Sequence, residues 1–146
     1  MKVLFDTNVL VAAIVADHPS YPVSFPWLQR VRAQSIVGCV STHSLAELYS
    51  VLTRLPLPKP LTARQAHTVI ANNLNIFEII DLDSADNLAV LEDISKLGIT
   101  GGGVYDALIA QAARKINAEV LLTLNPKHFI RLGERFVAII RVPELG

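Results

Sequence analysis

The chain is poor in cysteine, in long apolar runs and in net charge, and each shortage closes off a class of protein. The single cysteine, Cys39, cannot form an internal disulfide, and its apolar surroundings mark it as a buried thiol. No apolar run reaches the length of a membrane-spanning helix. The opening apolar stretch is too short for a signal peptide and soon meets Asp6, so a cytoplasmic protein is expected. Thirteen Lys and Arg balance thirteen Asp and Glu, so the molecule as a whole is not a broad polyanion binder. There is no internal repeat, low-complexity tract or linker, and 146 residues fit one domain, 1–146.

What is present is a large apolar fraction. Hydrophobic residues make up 51% and charged residues 18%, enough to build a core and too apolar for a disordered chain. Charge is also unevenly placed. Between positions 114 and 141, Arg114, Lys115, Lys127, Arg131, Arg135 and Arg141 face only Glu119 and Glu134, a local balance of +4 that leaves −4 for the rest. Such a stretch is either ordinary solvated surface or a phosphate-facing patch beside an acidic region.

Two periodicities alternate. Short, largely apolar runs at 2–5, 36–40, 77–82, 120–124 and 136–142 suit strands buried on both faces. Between them lie helical patterns. One covers 8–16, and another starts at Pro26 and runs through Trp27, Leu28 and Val31. A third carries the stripe Leu45, Leu48, Tyr49 and Leu52, and is broken by the proline-rich segment 55–60. Thr62 and Gln65 form a capping-box pattern for a fourth. Ser84 is positioned to cap a fifth, with Leu88, Leu91 and Ile94 inward and Gly98 as its stop. Residues 104–116 form a sixth, with Tyr105, Leu108, Ile109, Ala112 and Ile116 as its core stripe, and 126–132 a short last one. Strands alternating with helices predict an α/β domain with a mostly parallel central sheet. Sites in such sheets form beyond the carboxyl ends of the strands.

Three acids stand out against that frame. Asp6 ends the first strand, where it serves either as a helix N-cap or as a carboxylate open to a metal. Glu47 lies off the apolar stripe of the third helix, and with Ser44 it also fits a capping box. Asp106 falls in the first turn of its helix, where the dipole favours it, but its own side carries Ile109, Ala110 and Ala113. Carboxylates gathered in apolar surroundings repel one another by several kcal/mol, roughly 4 for a pair about 4 Å apart at an effective dielectric near 20. A divalent cation turns that repulsion into binding, and oxygen-only ligands favour Mg²⁺ or Mn²⁺ over zinc. His43 stands four residues before Glu47, within reach of a shared ligand, though surface position at a helix start explains it more simply. Lys127, His128 and Arg131 are candidates for contact with flanking phosphates of a nucleic acid.

The order of these pieces resembles a known family. Phe5-Asp6-Thr7-Asn8, then Glu47 early in a helix, then Tyr105-Asp106-Ala107-Leu108-Ile109-Ala110, then Leu121-Leu122-Thr123-Leu124-Asn125 resembles the PIN domain, and more narrowly the VapC-like toxin ribonucleases of toxin–antitoxin pairs. The resemblance spans essentially the whole chain. It implies a three-layer α/β/α sandwich, and Asp6, Glu47 and Asp106 as catalytic metal ligands for Mg²⁺ or Mn²⁺. It adds Asn8, Thr123 and Asn125 as supporting residues, RNA as substrate, a protein antitoxin as partner, and a homodimer. For the dimer surface, the segments around Trp27 and from Leu45 to Leu61 are the expectation. Asn125 stands where the family often has a fourth acid, so this chain brings less charge to the site. Two other functions fit parts of the pattern. A phosphotransferase with Asp6 as nucleophile would want a second Asp where Asn8 stands. A catalytically degraded PIN-like module that binds RNA or protein without cutting it draws on Asn125 alone.

Overall fold

A computed structural model describes residues 1–56, 58 and 60–145, so that Leu57, Lys59 and Gly146, including two positions of the proline-rich 55–60 segment and of the proposed 45–61 interface, lie outside the described residues. The elements run β1 (Lys2–Phe5), α1 (Thr7–Ile14), α2 (Tyr21–Arg32), β2 (Val37–Ser41), α3 (Thr42–Leu52), α4 (Ala63–Leu74), β3 (Glu78–Ile80), α5 (Ser84–Leu97), α6 (Gly103–Lys115), β4 (Val120–Leu122), α7 (Pro126–Ile130), α8 (Glu134–Val137) and β5 (Ile140–Arg141). The sheet order is β3-β2-β1-β4-β5, and every neighbouring pair is parallel.

In β1, β2 and β4, burial on both faces explains the apolar runs, because successive side chains point to opposite layers; edge strand β3 differs from that expectation, with Glu78 and Ile79 exposed. Val3 and Phe5 of β1 join a cluster with α1, α2, α3 and α4, where Leu10, Leu28, Leu48 and Leu52 are fully buried. Leu4, between them, faces the other way with Cys39 and Leu121, into a cluster formed with α5, α6, α7 and α8. The result is the expected α/β/α sandwich with β1 at its centre. Thr62 and Gln65 form the predicted capping box, and Gly98 ends α5 with a φ of 70°, a conformation that favours glycine.

Several expectations are corrected. The run 136–142 is not one strand: its first part is the turn of helix α8, with Phe136 in the core, and only Ile140–Arg141 pairs with β4. A short apolar run does not distinguish a strand from a buried helical turn. Helix α2 begins at Tyr21, with Pro22 in its first turn, and Pro26 lies inside it. Asp83, not Ser84, caps α5 through a capping box with Asp86. The buried face of α5 carries Val90 and Ile94, while Leu88 and Leu91 are exposed. Both stripes have helical spacing, so periodicity alone does not choose between them. Tyr49 and Tyr105 are exposed rather than core, and the Trp27 side chain itself is buried. Among the described residues, no helix is long and apolar enough to cross a membrane.

Candidate active site

The chain leaves β1, builds outward through β2 and β3, then crosses back to place β4 on the other side of β1. That reversal opens a crevice at the carboxyl ends of β1 and β4, where open α/β sheets bind ligands. Asp6 directly follows β1 and Thr123 directly follows β4. The Thr123 hydroxyl donates to Asp6 Oδ2 at 2.7 Å, and its oxygen accepts from the Asn125 amide at 2.9 Å. The Asn8 carbonyl oxygen accepts from the Leu124 amide at 3.2 Å. The Asp6 side chain makes no capping bond to α1, so its position is set by β4 and not by helix capping. Asp6 is buried, and burial pushes its carboxyl up from 3.8 to about 7 against the opposing pull of the Thr123 hydroxyl; Asp106 and Glu47 raise it further by repulsion.

Helix α3 brings Glu47. Its N-cap is Ser41, whose hydroxyl accepts from the His43 amide at 3.2 Å, so the capping box expected of Ser44 and Glu47 is absent. Ser44 is instead buried and accepts from the Thr7 hydroxyl at 2.9 Å, which ties α3 to α1 and leaves Glu47 turned toward the acids. His43 Nε2 stands 3.9 Å from Glu47 Oε2, and the His43 ring stacks on Tyr105 at 4.7 Å between centroids. That stack connects the starts of α3 and α6.

Helix α6 brings Asp106. Its Oδ2 lies 3.4 Å from His128 Nδ1 and 3.7 Å from Arg131 Nη2. Burial raises its carboxyl; His128 and Arg131 pull it back, and Glu47 pushes it up. A Cβ at Gly103 would collide with the Ile99 side chain and stand 2.8 Å from Arg131 Nη2, so glycine there leaves room for the guanidinium to reach Asp106.

These elements form one open cleft of about 310 Å³, lined by Asp6, Asn8, Glu47, Asp106 and Asn125 together with Thr7, Val11, Val51 and His18. A separate crevice between α5, α6 and α8, about 20 Å³, is mostly apolar and too small for a substrate. Of the expected site residues, Asp6, Glu47, Asp106, Asn8 and Asn125 share the cleft, and Thr123 stands behind Asp6. His128 and Arg131 sit at its rim against Asp106, and Lys127 is exposed without lining it. The basic stretch is not one free face. Lys115 pairs with Asp86, Arg135 with Asp93, and Arg141 lies over the Trp27 ring. His18, Val11 and Val51 carried no signal in the sequence, because only the packing of α1 against α3 brings them to the cleft.

Among the described residues, no three His, Cys, Asp or Glu side chains stand close enough, as they lie, to share one ion. The donor chemistry nonetheless fits a hard divalent cation. Three carboxylates meet in one cleft, and two of them raise the third by repulsion that a cation would relieve. Mg²⁺ keeps several of its waters and takes one or two carboxylates directly, so three tight contacts are not required.

Comparison with known proteins shows the family. The PIN domain family model matches residues 3–135. Ribonuclease VapC40 of Mycobacterium tuberculosis is 30% identical over 116 residues, covering 80% of this chain and 81% of its own length. Ribonuclease VapC27 of the same organism is 32% identical over 115 residues, 79% of each. Among solved structures, VapBC2 of Rickettsia felis, bound to a DNA fragment from their promoter, contains a chain that superposes with a TM-score of 0.69 at 26% identity. The match covers 99% of this chain and 100% of that one. The chain belongs to the PIN-domain family, alongside the VapC ribonucleases.

Proposed function

We propose that this chain is a metal-dependent endoribonuclease, the toxin of a toxin–antitoxin pair, with Asp6, Glu47 and Asp106 as its catalytic acids. The observation that carries the reading is the convergence of those three carboxylates on one cleft at the switch point of the sheet. The relatives' names as ribonucleases support RNA as the substrate, and the VapBC2 neighbour supports a protein antitoxin as partner.

A bound Mg²⁺ or Mn²⁺ ion supplies charge neutralisation at the scissile phosphate and a more acidic water. Asp6 and Asp106 would hold that ion, with Glu47 as a further ligand or a residue that orients the water. Thr123 fixes the Asp6 oxygen by its 2.7 Å hydrogen bond, the kind of supporting contact that orients a ligand. Asn8 and Asn125 present amides to the cleft; Asn125 orients water or substrate but adds no charge. His128 and Arg131, which pair with Asp106 at the rim, meet flanking phosphates, and exposed Lys127 adds a further positive charge. A degraded binding module would rest on Asn125 alone, and the three intact acids weigh against it.

The test is cleavage of total bacterial RNA by the purified protein with Mg²⁺ or Mn²⁺, repeated in excess chelator. Metal-dependent cutting is expected. Undiminished cutting in chelator overturns the metal assignment, and binding without cutting favours the module. The reading also includes a homodimer, for which light scattering at roughly tens of micromolar is expected to give twice the chain mass.

A further inference from the structure

His18 lines the cleft, yet the hydrolytic reading gives it no task. It sits in the turn between α1 and α2, which backbone hydrogen bonds hold in place: the His18 amide donates to Val15 O at 3.0 Å, and the Tyr21 amide donates to His18 O at 3.0 Å. Its ring is oriented as well. Nδ1 accepts the Ser20 amide N–H at 3.0 Å. A ring nitrogen that accepts cannot carry the proton, so the neutral imidazole keeps its proton on Nε2. The edge left for the cleft is therefore a fixed N–H donor.

Basic side chains are scarce there. Among the described residues lining the cleft, His18 is the only basic side chain; three are carboxylic acids, two are amides and two are valines. The remaining hydroxyl, on Thr7, donates to Ser44. A polyanionic backbone entering a cleft that holds three acids needs N–H groups facing its phosphates. Position decides which phosphate His18 meets. Asp6 immediately precedes α1 and His18 follows its end, and a helix of 8 residues is about 12 Å long. His18 thus stands at the far end of the cleft from Asp6.

We propose that His18 is a phosphate-holding residue: its Nε2–H donates to a non-bridging oxygen of an RNA phosphodiester flanking the scissile one. The inference rests on the ribonuclease reading of the same cleft. A contact remote from the reacting phosphate is made equally in the ground state and the transition state, so it acts on KM rather than on kcat.

Two substitutions separate this role from a structural one. Asparagine places its Oδ1 near the position of Nδ1, so His18→Asn keeps the acceptor for Ser20 and loses the donor. Glutamine places its amide near Nε2, so His18→Gln keeps the donor. The substrate probe is an oligoribonucleotide spanning the strongest site at which the wild-type protein cuts total bacterial RNA. His18→Asn is expected to raise KM about five- to tenfold, the worth of one hydrogen bond, with kcat within about twofold and an unchanged melting temperature. His18→Gln is expected to stay within about twofold of wild type in both constants. A long-range ¹H–¹⁵N correlation spectrum of the wild-type protein is expected to show His18 protonated on Nε2. No cutting by the wild-type protein overturns the ribonuclease reading, and this inference with it. Normal cutting with KM unchanged in His18→Asn overturns the inference alone. Equal losses in both variants with lowered melting temperatures, or a ring protonated on Nδ1, also overturn it.

Discussion

Asp6 and Asp106 face the same cleft and burial raises both, yet they are held in opposite ways. Asp6 is 5% exposed at the centre of the sheet, and its partner is the buried hydroxyl of Thr123. Asp106 is half-buried on a helix, and its partners are His128 and Arg131, side chains 52% and 44% exposed, at 3.4 and 3.7 Å. One half of the cleft is built from strand ends, whose backbone the sheet fixes and whose hydrogen bonds are shielded from water. The other half is built from a helix start and exposed cationic side chains that solvent screens. A preorganised half keeps its geometry whether or not a ligand is present. A screened half can exchange its partners when one arrives.

The largest expected effect tests whether both halves serve the same chemistry. Asp6→Asn and Asp106→Asn should each lower RNA cleavage by at least about 100-fold, beyond what loss of a merely supporting contact removes. Both proteins should stay folded by circular dichroism. Near-normal cleavage by Asp106→Asn would remove α6 from the site. The two should differ in melting temperature, with Asp6→Asn the more stabilising, because its carboxylate is the more deeply buried.

The next effect asks what each partner is worth. Thr123→Val removes the hydroxyl from Asp6 and from the Asn125 amide with little change of shape, and should lower stability by about 1–3 kcal/mol. Arg131→Met removes a screened ion pair and should change stability by less than about 1 kcal/mol. Denaturant unfolding of the two variants reads the difference. Equal losses would break the contrast.

The pH dependence follows from the same burial. The Asp6 carboxyl lies at about 7 in the folded protein against 3.8 ordinarily, so between those values the folded state binds more protons. The contribution of Asp6 to stability is fully present below about pH 4 and is lost as pH rises through 7. In metal-free buffer the protein should therefore melt several degrees lower at pH 8 than at pH 5.5, on the scale of about 2–4 °C per kcal/mol for a domain of this size. Asp6→Asn should flatten that slope more than Asp106→Asn. An unchanged slope in Asp6→Asn would show that another group sets it.

The smallest effect concerns Asn125, exposed at the cleft. Asn125→Asp adds a fourth carboxylate, which should destabilise the metal-free protein and tighten Mn²⁺ binding by about 1 kcal/mol. The gap between metal-free and Mn²⁺-bound melting temperatures should widen. An unaltered gap would mean that position 125 does not face the ion.

Much of the fold was legible because burial leaves periodic marks. Lys2–Phe5 reads as a strand since both layers demand apolar side chains, and Thr62 with Gln65 reads as a helix start since their hydrogen bonds are local. What was misread turned on choices that are not local. Leu88 and Val90 lie on different faces of α5, and only the neighbouring layer decides which is buried. Tyr105 fits a core stripe by spacing, yet it is exposed and stacks on His43 of another helix. Ser44 fits a cap by spacing, yet it meets Thr7 across the α1–α3 contact, and Ser41 caps instead.

The sequence by itself determined the alternation of strands and helices, the parallel sheet that follows from it, and the acids at a strand end and two helix starts. Those features depend on side-chain periodicity and on bonds within a few residues. Only the tertiary structure decided that Thr123, 117 residues from Asp6, supplies its hydrogen bond, that Arg131 reaches Asp106 over Gly103, and that His18 lines the same cleft. Such contacts depend on the order of strands in the sheet and on how closely helices approach each other. Those are set by the sum of many burial energies across the molecule, and no short stretch of chain records them.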